Sequence, residues 1–96
     1  MKIKTIDLNA KEWFDKINGN SYFSCVITLN YGKEEKTLNL TFQYGYGSQY
    51  EHESFTAIKK ELKIKTDIKT LWRYCDENNI ILRTNKINCL KGDLIK

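Results

Sequence analysis

The chain has 96 residues, of which 41% are hydrophobic and 29% are charged, with a net charge of +4. This length fits one small domain spanning residues 1–96, and the hydrophobic content excludes a disordered tail. No apolar run approaches the roughly 20 residues that cross a membrane. The first residues, Met1–Thr5, lack the apolar stretch of a signal peptide. We therefore expect neither secretion by this route nor a membrane-spanning helix.

The basic residues are concentrated in the second part of the chain. Residues 1–55 carry six lysines and seven acidic residues, for a net charge of −1. Residues 56–96 carry ten Lys or Arg and five acidic residues, for a net charge of +5. This balance is mildly basic and falls below that of a dedicated nucleic-acid-binding domain.

The first predicted elements are a short strand over residues 2–8 and a helix that begins after Asn9. Asn9 is a good N-cap residue, and Glu12 lies three positions later, as in a capping box. Gly19 suits the left-handed residue that ends a helix. The helical spacing i, i+3, i+4, i+7 is met by Ala10, Trp13, Phe14 and Ile17.

A β-hairpin is predicted next. Residues 21–31 and residues 36–44 each alternate between apolar and polar side chains, which is typical of half-buried strands. The polar segment Gly32–Glu35 between them favours a turn.

Two further helices follow the hairpin. Ser48 and Glu51 form a second capping-box pattern, which predicts a helix over residues 49–63. A third helix is predicted over residues 67–78. Its apolar stripe consists of Ile68, Leu71, Trp72 and Cys75.

The last elements are predicted as a strand over residues 80–84 and a short strand over residues 87–90, with a turn at Asn85 and Lys86. Strands and helices are thus clustered rather than alternating. We therefore predict an α+β fold, in which a small antiparallel sheet has the hairpin of residues 21–44 at its centre. Two or three helices pack on one face of this sheet.

The polar segment after the first predicted helix is a candidate binding loop. Asn18 and Asn20 flank Gly19, with aromatic residues on both sides. In a structural interpretation, Trp13 and Phe14 belong to the core and the asparagines hydrogen-bond the turn. In a functional interpretation, Asn18 and Asn20 contact a ligand in a pocket.

A second candidate loop precedes the helix that begins near residue 49. Two glycines, Gly45 and Gly47, alternate here with tyrosines. A helix N-terminus attracts anions, glycines let a ligand approach the backbone, and tyrosines stack on bases or anchor protein partners. The alternative is a strand-to-helix turn with half-buried tyrosines. The candidate binding residues are Tyr44, Tyr46, Ser48, Gln49 and Tyr50.

A third candidate is a basic stripe. Lys65, Lys69 and Arg73 are four residues apart and would share one face of the third predicted helix. Such a stripe can meet nucleic-acid phosphates or an acidic protein surface, although a solvated helix face is the commoner explanation.

No catalytic or metal-binding motif is present in the sequence. The single histidine, His52, lies between two glutamates on a predicted helix, and we expect it to be exposed. Cys25, Cys75 and Cys89 lack the spacing of a zinc site. We interpret them as reduced thiols, two of which face the core. We expect no cofactor, no metal and no enzymatic activity.

The sequences of the two candidate loops are similar to those of a known group of proteins. The stretch WFDKINGNSYF at residues 13–23, followed by QYGYGSQY at residues 43–50, resembles small bacteriophage and prophage proteins of unknown activity. These proteins share a WFDKxNGNSYF stretch and a QYGYGxxY loop, and the similarity extends over about residues 12–58. The resemblance implies a phage or mobile-element origin and action in the cytoplasm of a bacterial host cell.

Three hypotheses for function follow. The first is a phage accessory protein that binds a host protein, such as a defence nuclease, in the manner of anti-CRISPR and other anti-defence inhibitors. Its contacts would be the loop over residues 44–50 and the basic stripe. The second is a nucleic-acid-binding protein whose tyrosines stack bases while its C-terminal Lys and Arg residues contact phosphates. The third is capture of a nucleotide signal by the Gly-Tyr-Gly loop.

Overall fold

The computed structural model describes residues 2–95, which form one four-stranded sheet, two α-helices and a short 3-10 turn. The strands are β1 (Thr5–Asp15), β2 (Asn20–Leu29), β3 (Lys36–Tyr44) and β4 (Ile81–Asn88). The helices are α1 (Gln49–Leu62) and α2 (Leu71–Glu77), and the 3-10 turn spans Lys91–Asp93.

The sheet has the strand order β3-β2-β1-β4. The predicted hairpin is formed by β2 and β3, and β1 is also antiparallel to β2. These elements confirm the predicted α+β class. The sheet is mixed, however, because β4 lies parallel to β1, with Leu82 beside Ile6. A parallel neighbour needs a long connection, and here the hairpin and both helices separate the two strands in the chain.

The helix predicted after Asn9 is absent, because β1 continues through this segment to Asp15. Ala10 pairs with Cys25 and Trp13 pairs with Tyr22 across the β1–β2 ladder. The ladder satisfies the backbone groups and buries Ala10, whereas Ile17 lies outside the sheet in the following turn. The helical spacing was therefore misleading, since cross-strand pairing outweighs a weak local preference.

One face of the sheet is covered by α1. Ser48 is the N-cap residue of this helix, as predicted, and Leu62 is its last residue. The predicted capping box is not formed, because the Ser48 side chain makes no capping hydrogen bond. Phe55 and Ile58 of α1 are fully buried, and burial of such a side chain contributes about 1.5–3 kcal/mol. On the sheet, the buried residues beneath the helix are Ile6, Leu8, Ala10, Phe23, Cys25, Ile27 and Leu29.

The second helix is shorter than predicted. The expected helix over residues 67–78 begins only at Leu71, and residues 64–70 are not helical. The backbone N–H of Ile68 donates to Thr66 Oγ1 at 3.1 Å, a local bond that competes with a helical turn. Leu71 and Cys75 are buried as expected, but Trp72 is exposed rather than part of the core. Among residues 2–95, no helix is long and apolar enough to cross a membrane.

The two strands predicted near the C-terminus are one continuous strand, β4. Asn85 pairs with Asn9 and Lys86 pairs with Ala10, so the predicted turn at these positions was wrong. The ladder of β1 supplies a partner along the whole of β4, and the turn preference of one Asn-Lys pair is too weak to interrupt it.

A C-terminal segment, residues 89–95, returns across the uncovered face of the sheet. Leu94 is only 4% exposed although it lies outside the main core cluster. The N–H of Ile95 donates to Ser24 Oγ at 3.1 Å, and the N–H of Phe42 donates to the Ile95 carbonyl at 2.6 Å. The segment thus spans from the end of β4 to an irregular point of β3, where the register with β2 shifts.

Candidate binding surface

The two candidate loops come together at one end of the sheet. Tyr22, at the start of β2, pairs with Tyr44, at the end of β3. The N–H of Gly45 then donates to the Ser21 carbonyl at 3.0 Å. The β1–β2 turn and the β3–α1 connection are therefore neighbours, and we call this end of the sheet the loop end.

The turn between β1 and β2 is held by Asp15. Its carboxylate accepts the backbone N–H groups of Ile17 at 3.0 Å and Asn18 at 3.3 Å, and the Asn18 amide at 2.8 Å. The Asn18 side chain, more than the backbone bonds, keeps the pKa of Asp15 below its ordinary value. Gly19 has φ of 71° and donates to the Asp15 carbonyl at 2.7 Å. Asn18 is thus part of a rigid turn, and Asn20 is the first residue of β2.

The rigid turn presents an apolar side chain at its tip. Ile17 is 92% exposed and adds apolar surface to the loop end. Phe14, near the end of β1, is also exposed. Sequence analysis assigned both residues to a buried helix stripe. The alternation of apolar and polar residues from Ile6 to Lys11 was the signal that could have extended the strand and revealed them.

The predicted tyrosines of the β3–α1 connection differ in their exposure to solvent. Tyr44 and Tyr46 are exposed, Tyr46 by 69%. Ser48 and Gln49 are exposed too, and the Gln49 amide donates to Glu53 at 3.1 Å. Tyr50, in contrast, is only 7% exposed, and its burial raises the pKa of the phenol. The accessible residues of the predicted loop are therefore Tyr44, Tyr46, Ser48 and Gln49, whereas Tyr50 anchors the loop to the core.

Lys86 fixes this connection to the sheet. Its ammonium donates to the Gly47 carbonyl at 3.0 Å and to Glu12 Oε1 at 3.3 Å. It also lies 6.0 Å from the centre of the Tyr50 ring. Sequence analysis did not single out Lys86, because nothing in its local sequence shows that β4 lies beside β1.

Three aromatic side chains form a row on the uncovered face of the sheet: Trp13, Tyr22 and Phe42. The Tyr22 ring lies 4.8 Å from Phe42 with an angle of 13° between the planes, and 5.8 Å from Trp13 with an angle of 23°. Tyr44 meets Tyr22 edge-on at 5.8 Å. The rings of this aromatic row are stacked on one another across neighbouring strands, so the central ring, Tyr22, has both faces occupied.

The end of the aromatic row is covered by a cation. Lys91, in the C-terminal segment, places its ammonium 5.6 Å from the centre of the Trp13 ring, within the range of a cation–π contact. Trp13 is therefore stacked on Tyr22 and also contacts a cation.

The basic stripe predicted on the third helix does not exist as one face. Lys65 and Lys69 lie in the non-helical segment before α2, and only Arg73 is helical. Arg73 forms an ion pair with Glu77 at 3.6 Å, four residues later on the same helix. Lys65, Lys69 and Arg73 are exposed, but α2 cannot present them as a helical row.

The chemistry-bearing residues are dispersed. His52 is exposed on α1, as predicted, and within residues 2–95 no group of three His, Cys, Asp or Glu side chains is arranged to hold a metal. Cys25 and Cys75 are buried, Cys89 is half-buried, and all three are free thiols. This confirms that two of the three cysteines face the core. Burial raises the pKa of Cys75 to about 11, which disfavours its reactive thiolate.

The loop end therefore combines exposed apolar side chains with two hydrogen-bonded connections: a turn held by Asp15 and a loop held by Gly45 and Lys86. No known family model matches the chain, and no curated protein or solved structure shows detectable similarity to it.

Proposed function

We propose that this chain is a small phage-borne accessory protein that acts by binding a protein of the bacterial host, with the loop end as its contact surface. The observation that carries the proposal is the exposure of Ile17 and Tyr46 on two adjoining connections whose backbones are hydrogen-bonded. A backbone ordered before binding loses less conformational entropy on association, and aromatic anchors commonly dominate interface energies. The phage setting rests on the resemblance of residues 13–23 and 43–50.

A protein partner fits this surface better than a nucleic acid. Base stacking needs free ring faces, and in the aromatic row Tyr22 is stacked on both sides by Trp13 and Phe42, while Lys91 lies over Trp13. Phosphate binding needs a continuous basic groove. Several cations are instead engaged by carboxylates in the ion pairs Lys36–Glu61, Arg73–Glu77, Arg83–Asp7 and Lys86–Glu12.

Nucleotide capture by the Gly-Tyr-Gly loop is also less well supported. The N–H of Gly45 is used by the Ser21 carbonyl, and Gly45 is packed against the ring of Phe23. The Gly47 carbonyl accepts from Lys86. A phosphate at Gly45 would have to displace the contacts that attach the loop to the sheet.

Within the binding function, we propose a host defence factor, such as a CRISPR nuclease, as the target class. A chain of 96 residues without a catalytic constellation can block such a factor by occupying its surface. The apolar tip formed by Ile17 would insert into a pocket of the target, and Tyr44 and Tyr46 would flank this contact.

The experiment is a pull-down with the tagged full chain from bacterial lysate, with and without nuclease treatment. The variants are Ile17→Asp and Tyr46→Ala. The matched control is Tyr31→Ala, because Tyr31 is 71% exposed, like Tyr46, but follows the opposite end of β2. We expect one host protein to be enriched by the wild type and by Tyr31→Ala, to survive nuclease, and to be lost with both loop-end variants.

Two outcomes would reject the proposal. Enrichment that disappears on nuclease treatment, with a steep dependence on salt, would instead support nucleic-acid binding. Equal recovery of the host protein by Tyr46→Ala, Ile17→Asp and Tyr31→Ala would place the contact surface away from the loop end. Circular dichroism of each variant establishes that the fold is retained.

A further inference from the structure

The two edge strands of the sheet, β3 and β4, differ in how well they are protected from pairing with a strand of another molecule. The β3 edge has a register shift opposite Phe23 and Cys25, and the C-terminal segment occupies the Phe42 N–H. Such irregularities hinder pairing with another strand. The β4 edge is regular, with an unbroken register from Thr5–Ile81 to Glu12–Asn88, and the chain contains no proline.

The backbone of β4 has a row of groups that point away from the sheet. The N–H of Ile81 donates to the Lys4 carbonyl at 3.0 Å, and the N–H of Cys89 donates to the Glu12 carbonyl at 2.8 Å. Backbone direction alternates along a strand, so the odd-numbered residues bond to β1. The N–H and C=O groups of Leu82, Thr84 and Lys86 therefore face outward.

The charged side chains of β4 do not prevent this edge from pairing with another strand. Arg83 binds both carboxylate oxygens of Asp7, at 2.6 and 2.9 Å, and Lys86 binds Glu12. Both cations are thus turned toward β1 and neutralised there. Ile81 and Ile87 remain as exposed apolar side chains on the same strand.

We propose that β4 pairs antiparallel with β4 of a second copy of this chain, about a two-fold axis at Thr84. In this register Thr84 faces Thr84, Leu82 faces Lys86, Arg83 faces Asn85, and Ile81 faces Ile87 of the second copy. No like charges are opposed, and each exposed isoleucine gains an apolar neighbour. The contact is isologous, so it closes as a dimer and joins the two sheets into one.

The neighbouring registers are less favourable. An axis at Lys86 would set Lys86 directly against its own copy, which is destabilising for like charges. An axis at Asn85 would place Ile87 opposite Arg83 and leave Ile81 opposite Cys89. The absence of directly opposed like charges and the pairing of Ile81 with Ile87 therefore favour the axis at Thr84, and this self-complementarity favours a second copy over an unrelated extended peptide. This dimer does not depend on the proposed host-binding function.

Sedimentation velocity of the full chain over a concentration series tests the proposal. We expect the wild type to dimerise, and Ile81→Lys to raise the dimer Kd by about tenfold or more. The double variant Ile81→Lys with Ile87→Glu sets the new ammonium of one copy against the new carboxylate of the other, so we expect it to restore dimerisation. Ile17→Lys, which makes the same change at an exposed isoleucine away from β4, should leave the dimer Kd unchanged.

A wild type that stays monomeric at every concentration would overturn the proposal. So would a dimer that Ile81→Lys leaves intact, or one that the double variant fails to restore, because either result places the contact elsewhere or in another register. A monomer that instead binds an extended peptide along β4 would assign the edge to a different partner. Loss of the dimer with retained host-protein binding in Ile81→Lys would separate this inference from the proposed function.

Discussion

Gly45 lies so close to Phe23 that a methyl group at Gly45 would be 2.6 Å from Cε1 of the Phe23 ring. Phe23 is a buried residue of β2, and Gly45 follows directly on β3. This approach of backbone to ring lets the Gly45 N–H reach the Ser21 carbonyl and sets the direction of the connection to α1. The exposed tyrosines on either side of Gly45 are therefore positioned by a core contact.

Gly45→Ala should destabilise the fold by about 1–3 kcal/mol, because the added methyl group overpacks the site against Phe23. Urea denaturation measures the change. Gly92→Ala is the matched control, since no heavy atom lies within 4 Å of a methyl group there. A Gly45→Ala protein as stable as the Gly92→Ala protein would show that the loop is not packed as described.

The Asp15 turn should make stability depend on pH. Hydrogen bonds from Asn18 and the turn backbone hold the pKa of folded Asp15 below its ordinary value of 3.8. The carboxylate therefore stabilises the fold above that pH, and this contribution is lost as the pH falls through the folded pKa. The Tm difference between wild type and Asp15→Ala should be largest near neutral pH and vanish in acid.

Lys16→Ala, in the same turn, is the control for the Asp15 measurement, and its Tm difference from the wild type should not follow this acid transition. An Asp15→Ala difference that persists unchanged into strong acid would contradict the role assigned to the carboxylate.

Lys86→Met should destabilise the fold by about 1 kcal/mol, because it removes the ion pair to Glu12 and the bond to the Gly47 carbonyl while retaining the apolar stem. Hydrogen exchange should also become faster in the β3–α1 connection. Lys11→Met makes the same change at an exposed strand position and should have little effect. Equal hydrogen-exchange rates in both variants would rule out the anchoring role.

The three thiols should react in a defined order. Cys75 has a pKa of about 11 because it is buried, so only about one thiol in a thousand would ionise at pH 8 even with access to reagent. Burial also raises the pKa of Cys25 and of Cys89, but Cys89 is the thiol with accessible surface, so access decides the order. A disulfide reagent should label Cys89 first and the other two only on unfolding. Early labelling that persists in Cys89→Ser would disagree with this order.

The sequence by itself determined the α+β class, the β2–β3 hairpin and helix α1. Alternation along residues 21–31 and 36–44 is strong because β2 and β3 each direct alternate side chains to the core face. The start of α1 was predictable from the spacing of Ser48 and Glu51, and the structure places the N-cap at Ser48, although its side chain makes no capping hydrogen bond. In these segments the local preference and the tertiary environment agree.

Only the tertiary structure decided that residues 9–15 form a strand, that β4 runs parallel to β1, and that both candidate loops meet at one end. From Ala10 to Ile17 the spacing of apolar residues fits a helix, but hydrogen bonding to β2 and β4 decides the outcome. Lys86 can bind Glu12 and the Gly47 carbonyl only because the fold brings β4 next to both of them. Such contacts join residues distant in the chain, and local periodicity and capping signals carry no information about them.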